Sequence, residues 1–223
     1  MRRLQGLLFP NWLLVPITIV CAVAVGEFAL TSRAFVANAA SPYAISGVRQ
    51  PSGPITYWID ERFTADEASV VEAAFATWES DPSSAVTFVF MGATATTDRG
   101  VDDGRNVVVR STAPVVSDGT SALAVTVRVA SDDARTYRDT DIVLDFSGGP
   151  RWSTEGEART QDLQTLMAHE VGHMLGLDHV SDPEQLMYPV LTPGRIDRRW
   201  LRWGDAIGLA ALYPGSGSIA DRR

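Results

Sequence analysis

The chain is poor in three residue types that mark common classes of protein. It has 223 residues and a single cysteine, so an internal disulfide is impossible and a disulfide scaffold is excluded. It has no lysine, and its 19 basic residues are outnumbered by 27 acidic ones. Proteins that bind nucleic acid usually carry a basic surface, whereas this chain has a net charge of −8. We therefore expect no nucleic-acid partner. Histidine is also scarce, with three in the whole chain.

The N-terminal segment has the composition of an export signal. Arg2 and Arg3 are followed by no charged residue until Glu27, and Ala37-Asn38-Ala39 then supplies a small-x-small cleavage pattern. We therefore expect residues 1–39 to be a signal peptide and the protein to be secreted. The alternative is an uncleaved membrane anchor that leaves the rest of the chain outside the cytoplasm, since the run from Leu4 to Gly26 is nearly membrane-length.

The remaining residues are sufficient for one domain of α+β type. An apolar fraction of 45% can build a core, and we expect a monomer. Residues 40–54 lack periodicity and are expected to be a loose leader or linker, residues 55–214 the folded domain, and residues 215–223 a flexible tail. Thr64-Ala65-Asp66-Glu67 is a capping box that predicts a helix to about Ser80.

Further elements follow from periodicity and turn residues. Strands are expected at Ile55–Ile59, Val86–Met91, Asn106–Arg110, Leu123–Val129 and Ile142–Phe146, and helices from about Thr160 to Gly176 and over Gly204–Tyr213.

All three histidines lie within eleven residues of one another. His169-Glu170-Val171-Gly172-His173 is an H-E-x-x-H sequence on a predicted helix, where a spacing of four residues puts both imidazoles on one face. Gly176 lets the backbone leave that helix in a left-handed conformation, and the chain can then present His179 as a third ligand. Three protein ligands and one open position are the coordination of a catalytic zinc ion. Histidines in an apolar helix are more often core residues, but that interpretation does not explain the spacing.

The run His169–His179 resembles the metzincin zinc signature, and Leu186-Met187-Tyr188-Pro189 resembles the Met-turn below the metal. Within the metzincins the chain is most similar to the matrixins, the matrix-metalloproteinase type and its bacterial relatives. The resemblance implies a zincin domain with a twisted, mostly parallel sheet, an antiparallel edge strand, two long helices and a C-terminal helix. We expect no cysteine-switch prosegment of the kind that many matrixins have, because the single cysteine, Cys21, lies in the predicted export signal.

The resemblance also implies a role for individual residues. His169, His173 and His179 become ligands of one Zn²⁺ ion, Glu170 the general base and acid, and Met187 the Met-turn residue. Leu123 and Ala124 lie on the strand expected to pair with extended substrate, while Pro189, Val190 and Leu191 form a wall of the specificity pocket. Two of these assignments have a structural alternative: Met187 as ordinary core filler, and the Leu123–Ala124 strand as core.

The chain departs from the matrixin pattern at several positions. Val180 replaces the usual serine after the third histidine, and no histidine is left for a second, structural zinc ion. Asp205 could brace the Met-turn, bind a new N-terminus, or serve as a plain carboxylate at a helix start.

A second metal ion is possible only through oxygen ligands. Asp98, Asp102, Asp103 and Asn106 could hold Ca²⁺, although a solvated acidic loop is the interpretation we favour. Asp132, Asp133, Asp139 and Asp141 are interpreted in the same way, and Trp200 and Trp203 as packing of the last helix.

The sequence thus predicts an exported zinc-dependent endopeptidase. It would hydrolyse extended polypeptides through a zinc-activated water and Glu170 as the general base. The rival hypothesis is a non-catalytic extracellular binding module stabilised by zinc, which does not need the carboxylate of Glu170. A zinc hydrolase of non-peptide substrates is disfavoured by the peptide-pairing strand.

Overall fold

The computed structural model describes residues 41–216, so the predicted signal peptide with Cys21, and residues 217–223, lie outside the described part. The helices are α1 (Ala65–Glu79), α2 (Leu163–Leu175) and α3 (Trp203–Leu212). The strands are β1 (Ala44–Ile45), β2 (Ile55–Asp60), β3 (Phe88–Thr94), β4 (Val107–Ser111), β5 (Val116–Ser117), β6 (Thr120–Ser121), β7 (Ala124–Ala130), β8 (Tyr137–Asp145), β9 (Trp152–Ser153), β10 (Gln161–Asp162) and β11 (Leu177–Asp178). In residues 41–216, no helix combines the length and apolar character needed to cross a bilayer.

A five-stranded sheet with the order β3-β2-β4-β8-β7 forms the centre of the domain. The pairs β2–β3, β2–β4 and β4–β8 are parallel, whereas β7 runs antiparallel to β8 at the edge. This arrangement confirms the expected mostly parallel sheet with one antiparallel edge strand, and with it the α+β class.

Helix α1 begins at the predicted capping box. The Thr64 hydroxyl accepts from the backbone N–H of Glu67, and the Glu67 carboxylate accepts from the backbone N–H of Thr64. The buried face of the helix includes Phe75 and Trp78. The Trp78 indole N–H donates to the main-chain oxygen of Ala168 at 2.7 Å, which fastens α1 to the middle of α2.

Apolar residues fill both faces of the sheet. The larger cluster lies between the sheet and the helices and includes Trp78, Leu144 and Leu166. A smaller cluster on the opposite face is built from strand valines such as Val109 and Val143, together with Val115 and Ala122 of the segment that follows β4. Because both faces are covered, the central strands consist mainly of consecutive apolar residues.

Two elements begin three or more residues from the position that the sequence predicts. Strand β8 starts at Tyr137, five residues before the predicted Ile142, because its polar residues such as Thr140 are buried and hydrogen-bonded. Helix α2 starts at Leu163 and not near Thr160, because β10 first pairs with β9 in parallel. Neither the polar start of β8 nor the short β9–β10 pair has a hydrophobic pattern in the sequence.

Residues 41–50, which belong to the predicted loose leader of residues 40–54, pack onto the domain, whereas residues 51–54 are exposed. Strand β1 pairs antiparallel with β11, so that Ala44 lies opposite Asp178. The Gln50 side chain is buried and donates to the Thr140 hydroxyl at 2.8 Å and to the Met174 main-chain oxygen at 3.3 Å. We call residues 41–50 the N-terminal strap.

Candidate metal centre

Helix α2 holds two of the three histidines on one side. His169 and His173 are one turn apart and both are buried. The helix is anchored at its start, where the Asp162 carboxylate accepts from the Thr165 N–H at 2.8 Å and forms an ion pair with Arg199. A buried helix with a fixed start gives its two imidazoles fixed positions.

Gly176 ends the helix and redirects the chain. Its φ of 107° lies in the left-handed region that favours glycine. A Cβ at this position would lie 2.2 Å from the main-chain oxygen of Val48, so the strap also requires a glycine here. The chain then runs through β11 and brings His179 back to the face of α2.

The three imidazoles converge on one point. The His169 and His173 Nε2 atoms are 3.0 Å apart, and each lies 3.1 Å from Nε2 of His179. Three nitrogens that bind one zinc ion at about 2.0–2.1 Å in tetrahedral geometry stand about 3.3 Å apart, close to the observed spacing. Within residues 41–216 this is the one group of three or more candidate side chains close enough to share a metal ion. The donor set therefore fits zinc.

Two main-chain carbonyls orient the rings on α2. Nδ1 of His169 donates to the Leu186 oxygen, and Nδ1 of His173 donates to the Leu177 oxygen, each at 2.8 Å. With the proton on Nδ1, Nε2 is left with a free lone pair for a metal. Burial lowers the pKa of both histidines well below the usual value, and burial together with the charge of Arg128 lowers the pKa of His179 to about 4. All three are thus neutral, as metal ligation requires.

Glu170 follows the first histidine and is completely buried. Its Oε2 atom accepts from the Thr126 hydroxyl at 2.5 Å, while Oε1 has no hydrogen-bond partner among the described residues. Burial raises the pKa of the carboxyl to about 7, against the opposing effects of Thr126 and Arg128. A carboxyl with a pKa near neutrality can both accept and release a proton.

Strand β7 contributes two residues that the sequence analysis did not identify. Thr126 reaches Glu170, and the buried Arg128 guanidinium donates to the His173 main-chain oxygen at 3.3 Å and faces the Asp178 carboxylate at 3.7 Å. Both lie more than forty positions before the histidines, so only the three-dimensional pairing shows the relation. In the sequence, the only indication of their role is that a threonine and an arginine interrupt an otherwise apolar strand.

Met187 packs directly against α2. A Cβ on Gly172 would lie 2.3 Å from the Met187 sulfur, so the thioether fills the space that this glycine leaves. The Asp205 carboxylate accepts from the backbone N–H groups of Leu186 and Met187 at 2.9 and 3.1 Å, and also from that of Arg202. Asp205 thereby braces this turn and caps α3 at once, which joins two of the three roles considered for it.

The residues expected to contact substrate differ in their exposure. Leu123 immediately precedes β7 and Ala124 is its first residue, and both are buried. Strand β7 has β8 as its single strand neighbour in the described part of the chain. Pro189 and Val190 are partly exposed, while Leu191 is buried.

Arg198 holds the backbone of residues 185–190, a role that the sequence did not predict. Its guanidinium is buried and donates to the main-chain oxygens of Gln185, Tyr188 and Val190.

The acidic residues considered for calcium are used mainly to hold a loop. The Asp141 carboxylate accepts from the N–H groups of Gly100 and Val107, and that of Asp139 from those of Asp103 and Gly104. Asp102 forms an ion pair with Arg138 at 2.7 Å. Calcium binding therefore stays a prediction.

A sequence model of the matrixin family of peptidases (M10) matches residues 51–214, which includes all three histidines. The chain belongs to the matrixin family.

Named relatives of this matrixin align with shorter parts of it. Karilysin from Tannerella forsythia is 45% identical over 85 residues, which cover 35% of this chain and 17% of karilysin. Metalloendoproteinase 1 from Glycine max is 32% identical over 83 residues, covering 34% of this chain and 27% of the relative. Matrilysin from Homo sapiens is 35% identical over 68 residues, covering 30% and 25%. The matched stretches span about a quarter or less of these relatives.

Membership of the matrixin family accounts for both the fold and the three histidines. Matrixins are zinc-dependent metallopeptidases, and the histidine cluster has the spacing that zinc needs. The resemblance noted from the zinc signature is thereby confirmed at the level of the family.

Proposed function

We propose that this matrixin is a zinc-dependent endopeptidase that cleaves extended polypeptides. The observation that carries the proposal is the convergence of three neutral Nε2 atoms within 3.1 Å of one another. On the same helix, Glu170 holds a buried carboxyl with a pKa of about 7. Metal ligation alone requires the histidines but not this carboxyl, so its presence supports a catalytic site rather than a binding module.

His169, His173 and His179 would hold the metal. When bound, zinc supplies Lewis acidity that polarises a carbonyl group and acidifies water. Glu170 takes the proton from the attacking water at Oε1, the carboxylate oxygen that has no partner among the described residues. The same carboxyl then releases the proton to the departing amine, for which a pKa near 7 is well matched.

The surroundings of the centre support a polypeptide substrate. Strand β7 is an edge strand, and an extended peptide can add to such an edge through main-chain hydrogen bonds near Leu123 and Ala124. Pro189, Val190 and Leu191 would line one wall of a pocket for a substrate side chain, and Arg198 fixes that wall through its main-chain oxygens.

Digestion of an unbiased peptide library, with and without a zinc chelator, tests the activity. We expect chelator-sensitive cleavage, and we expect Glu170→Gln to lower the cleavage rate by about 10²–10⁴-fold while zinc stays bound. Glu72→Gln, an exposed carboxylate on α1, is the matched control and should cleave normally. Cleavage at the normal rate by Glu170→Gln would disprove the assignment of the base. No chelator-sensitive cleavage by the unaltered protein would favour the binding module.

We also propose that the protein is exported. The charged start, the apolar middle and Ala37-Asn38-Ala39 support a signal peptide. Expression of the full chain in a bacterial host, followed by N-terminal sequencing of the exported protein, tests this. A mature N-terminus near Ala40 is expected, whereas an intact N-terminus in the membrane fraction would show the anchor.

A further inference from the structure

The carboxylate of Glu170 is held by a side chain from the sheet rather than from its own helix. Thr126 is the third residue of β7, lies opposite Ile142 of β8, and is completely buried. Its hydroxyl is 2.5 Å from Oε2 of Glu170. Among residues 41–216, it is the one hydrogen-bond partner of that carboxylate.

A single donor on one oxygen makes the two carboxylate oxygens inequivalent. With Oε2 accepting from Thr126, rotation of the carboxylate about its terminal bond is restricted, and Oε1 is the oxygen left to receive a proton. The donor is itself held firmly, because β7 pairs with β8 along its whole length. The Thr126 hydroxyl also lies 3.2 Å from the Glu170 main-chain oxygen, so it keeps an acceptor when the carboxyl carries a proton.

We propose that Thr126 is a positioning residue for the general base of the peptidase. Its hydroxyl fixes Oε2 of Glu170 and so presents Oε1 to the water that attacks the substrate. This inference rests on the proposed function, since it assigns Thr126 a part in the work of Glu170. It predicts an effect on turnover rather than on substrate or metal binding, because the hydroxyl bonds to the carboxylate and to none of the three imidazoles.

Three variants of Thr126 test this role. Thr126→Val keeps the shape and removes the donor, Thr126→Ala removes the donor and the γ-methyl group, and Thr126→Ser keeps the donor. We expect kcat to fall about 10- to 100-fold in the Val and Ala variants, with KM and zinc content unchanged, since a hydrogen bond to a charged group is lost. Thr126→Ser should retain most of the turnover.

Thr140→Val is the matched control. Thr140 is a buried threonine on the neighbouring strand β8 that accepts from Gln50 at 2.8 Å, so its replacement also breaks a buried hydrogen bond. It should lower the melting temperature without changing kcat. Equal losses of kcat in Thr126→Val and Thr140→Val would show a merely structural role and overturn the proposal.

The result for Glu170→Gln separates the two hypotheses. If Glu170→Gln is inactive but Thr126→Val and Thr126→Ala both turn over at the normal rate, the positioning role is wrong and the peptidase assignment stands. If Glu170→Gln cleaves at the normal rate, the general base is wrong, and the role of Thr126 is wrong with it. A fall in kcat that tracks a loss of zinc content would also overturn the positioning role.

Discussion

At the scale of single residues, Arg128 joins several segments behind the histidines. Its guanidinium is buried, donates to the His173 main-chain oxygen and faces Asp178, the residue before the third ligand. It also lies 5.5 Å from the centre of the Tyr137 ring. A positive charge at the C-terminal end of α2 is favourable for the helix dipole. Arg128 therefore fixes both the end of the helix and the start of the segment that carries His179.

Replacing Arg128 should destabilise the protein more than replacing a surface arginine. Arg128→Met leaves the Asp178 carboxylate without its ion-pair partner and the His173 carbonyl without its donor, and we expect a loss of about 1–3 kcal/mol in the free energy of unfolding. Arg138→Met is the control, since Arg138 makes exposed ion pairs with Asp102 and Asp132, and should cost less than about 1 kcal/mol. Urea denaturation of both variants measures the difference, and equal losses would contradict the role given to Arg128.

The sequence was informative about those residues whose partners are near in the chain. His169, His173 and His179 could be assigned because helical spacing and Gly176 relate them locally. Thr126 and Arg128 could not be assigned, because their partners lie on α2 and β11. The packing of β7 against α2 leaves no local pattern in the sequence. Asp205 was an intermediate case, since its place at a helix start was visible but its contacts to Leu186 and Met187 were not.

At the scale of elements, the loop before β4 is held by strand β8. The carboxylates of Asp139 and Asp141 accept from four backbone N–H groups of residues 100–107. Both carboxyls are buried, and they lie close enough together to interact electrostatically. Burial raises the pKa of Asp139 to about 6 and that of Asp141 to about 7, and Asp103 nearby adds to both shifts.

These two carboxyls should make stability depend on pH in a defined direction. Because their pKa values in the folded state exceed the ordinary value of 3.8, their contribution to stability is fully present below about pH 4 and is lost as the pH rises through about 6 to 7. Between about pH 5 and pH 8, the unaltered protein should therefore lose about 1–3 kcal/mol relative to Asp141→Asn, whose side chain stays neutral. Urea denaturation at both pH values gives the comparison.

Asp197 provides the control of opposite sign. A hydrogen bond from Arg195 lowers the pKa of Asp197, so this carboxylate is ionised in both folded and unfolded chains above about pH 5. Asp197→Asn should change stability by the same amount at both pH values. A pH dependence equal to that of Asp141→Asn would show that the burial of Asp141 is not its cause.

Calcium tests the same loop in a second way. If Asp139 and Asp141 hold Ca²⁺, adding calcium should raise the melting temperature of the unaltered protein but not that of Asp141→Asn, and magnesium should not substitute. If they only anchor the loop, calcium and magnesium should have equal, small effects. The second outcome is the one that we favour, because backbone N–H groups already occupy three of their four oxygens.

Elements with a strong local pattern were predictable, and those defined by pairing were not. The capping box located the start of α1, and Gly176 located the end of α2. The short pairs β9–β10 and β1–β11 have two residues in each strand, which is too few for a hydrophobic pattern to develop. The early, polar part of β8 was missed because burial of polar residues depends on partners elsewhere in the fold.

At the scale of the whole molecule, both ends of the described chain meet at the end of α2. The Tyr213 hydroxyl accepts from the Gln50 N–H and donates to the Leu175 main-chain oxygen, both at 2.8 Å. Tyr213, the residue that follows α3, thus connects the strap to the end of α2. The interpretation of residues 40–54 as a loose leader rested on composition, which does not register such a contact.

Removing this hydroxyl should loosen the strap. Tyr213→Phe leaves a buried N–H and a buried carbonyl without their partner, and we expect a loss of about 1–3 kcal/mol in the free energy of unfolding. Tyr43→Phe is the control, because the Tyr43 hydroxyl makes no hydrogen bond within residues 41–216. Hydrogen exchange of the Gln50 amide should become faster in Tyr213→Phe alone. Unchanged exchange would show that the strap is held without the phenol.

The support of His169 by Leu186 has a consequence for the order in which the molecule is assembled. The Leu186 carbonyl orients the imidazole, but the backbone of Leu186 is itself held by Asp205 in α3, which is synthesised after all three histidines. A nascent chain that ends before this aspartate contains every histidine and still lacks the brace that orients one of them. We therefore expect tight zinc retention only after α3 has been synthesised and Asp205 has reached the backbone of Leu186.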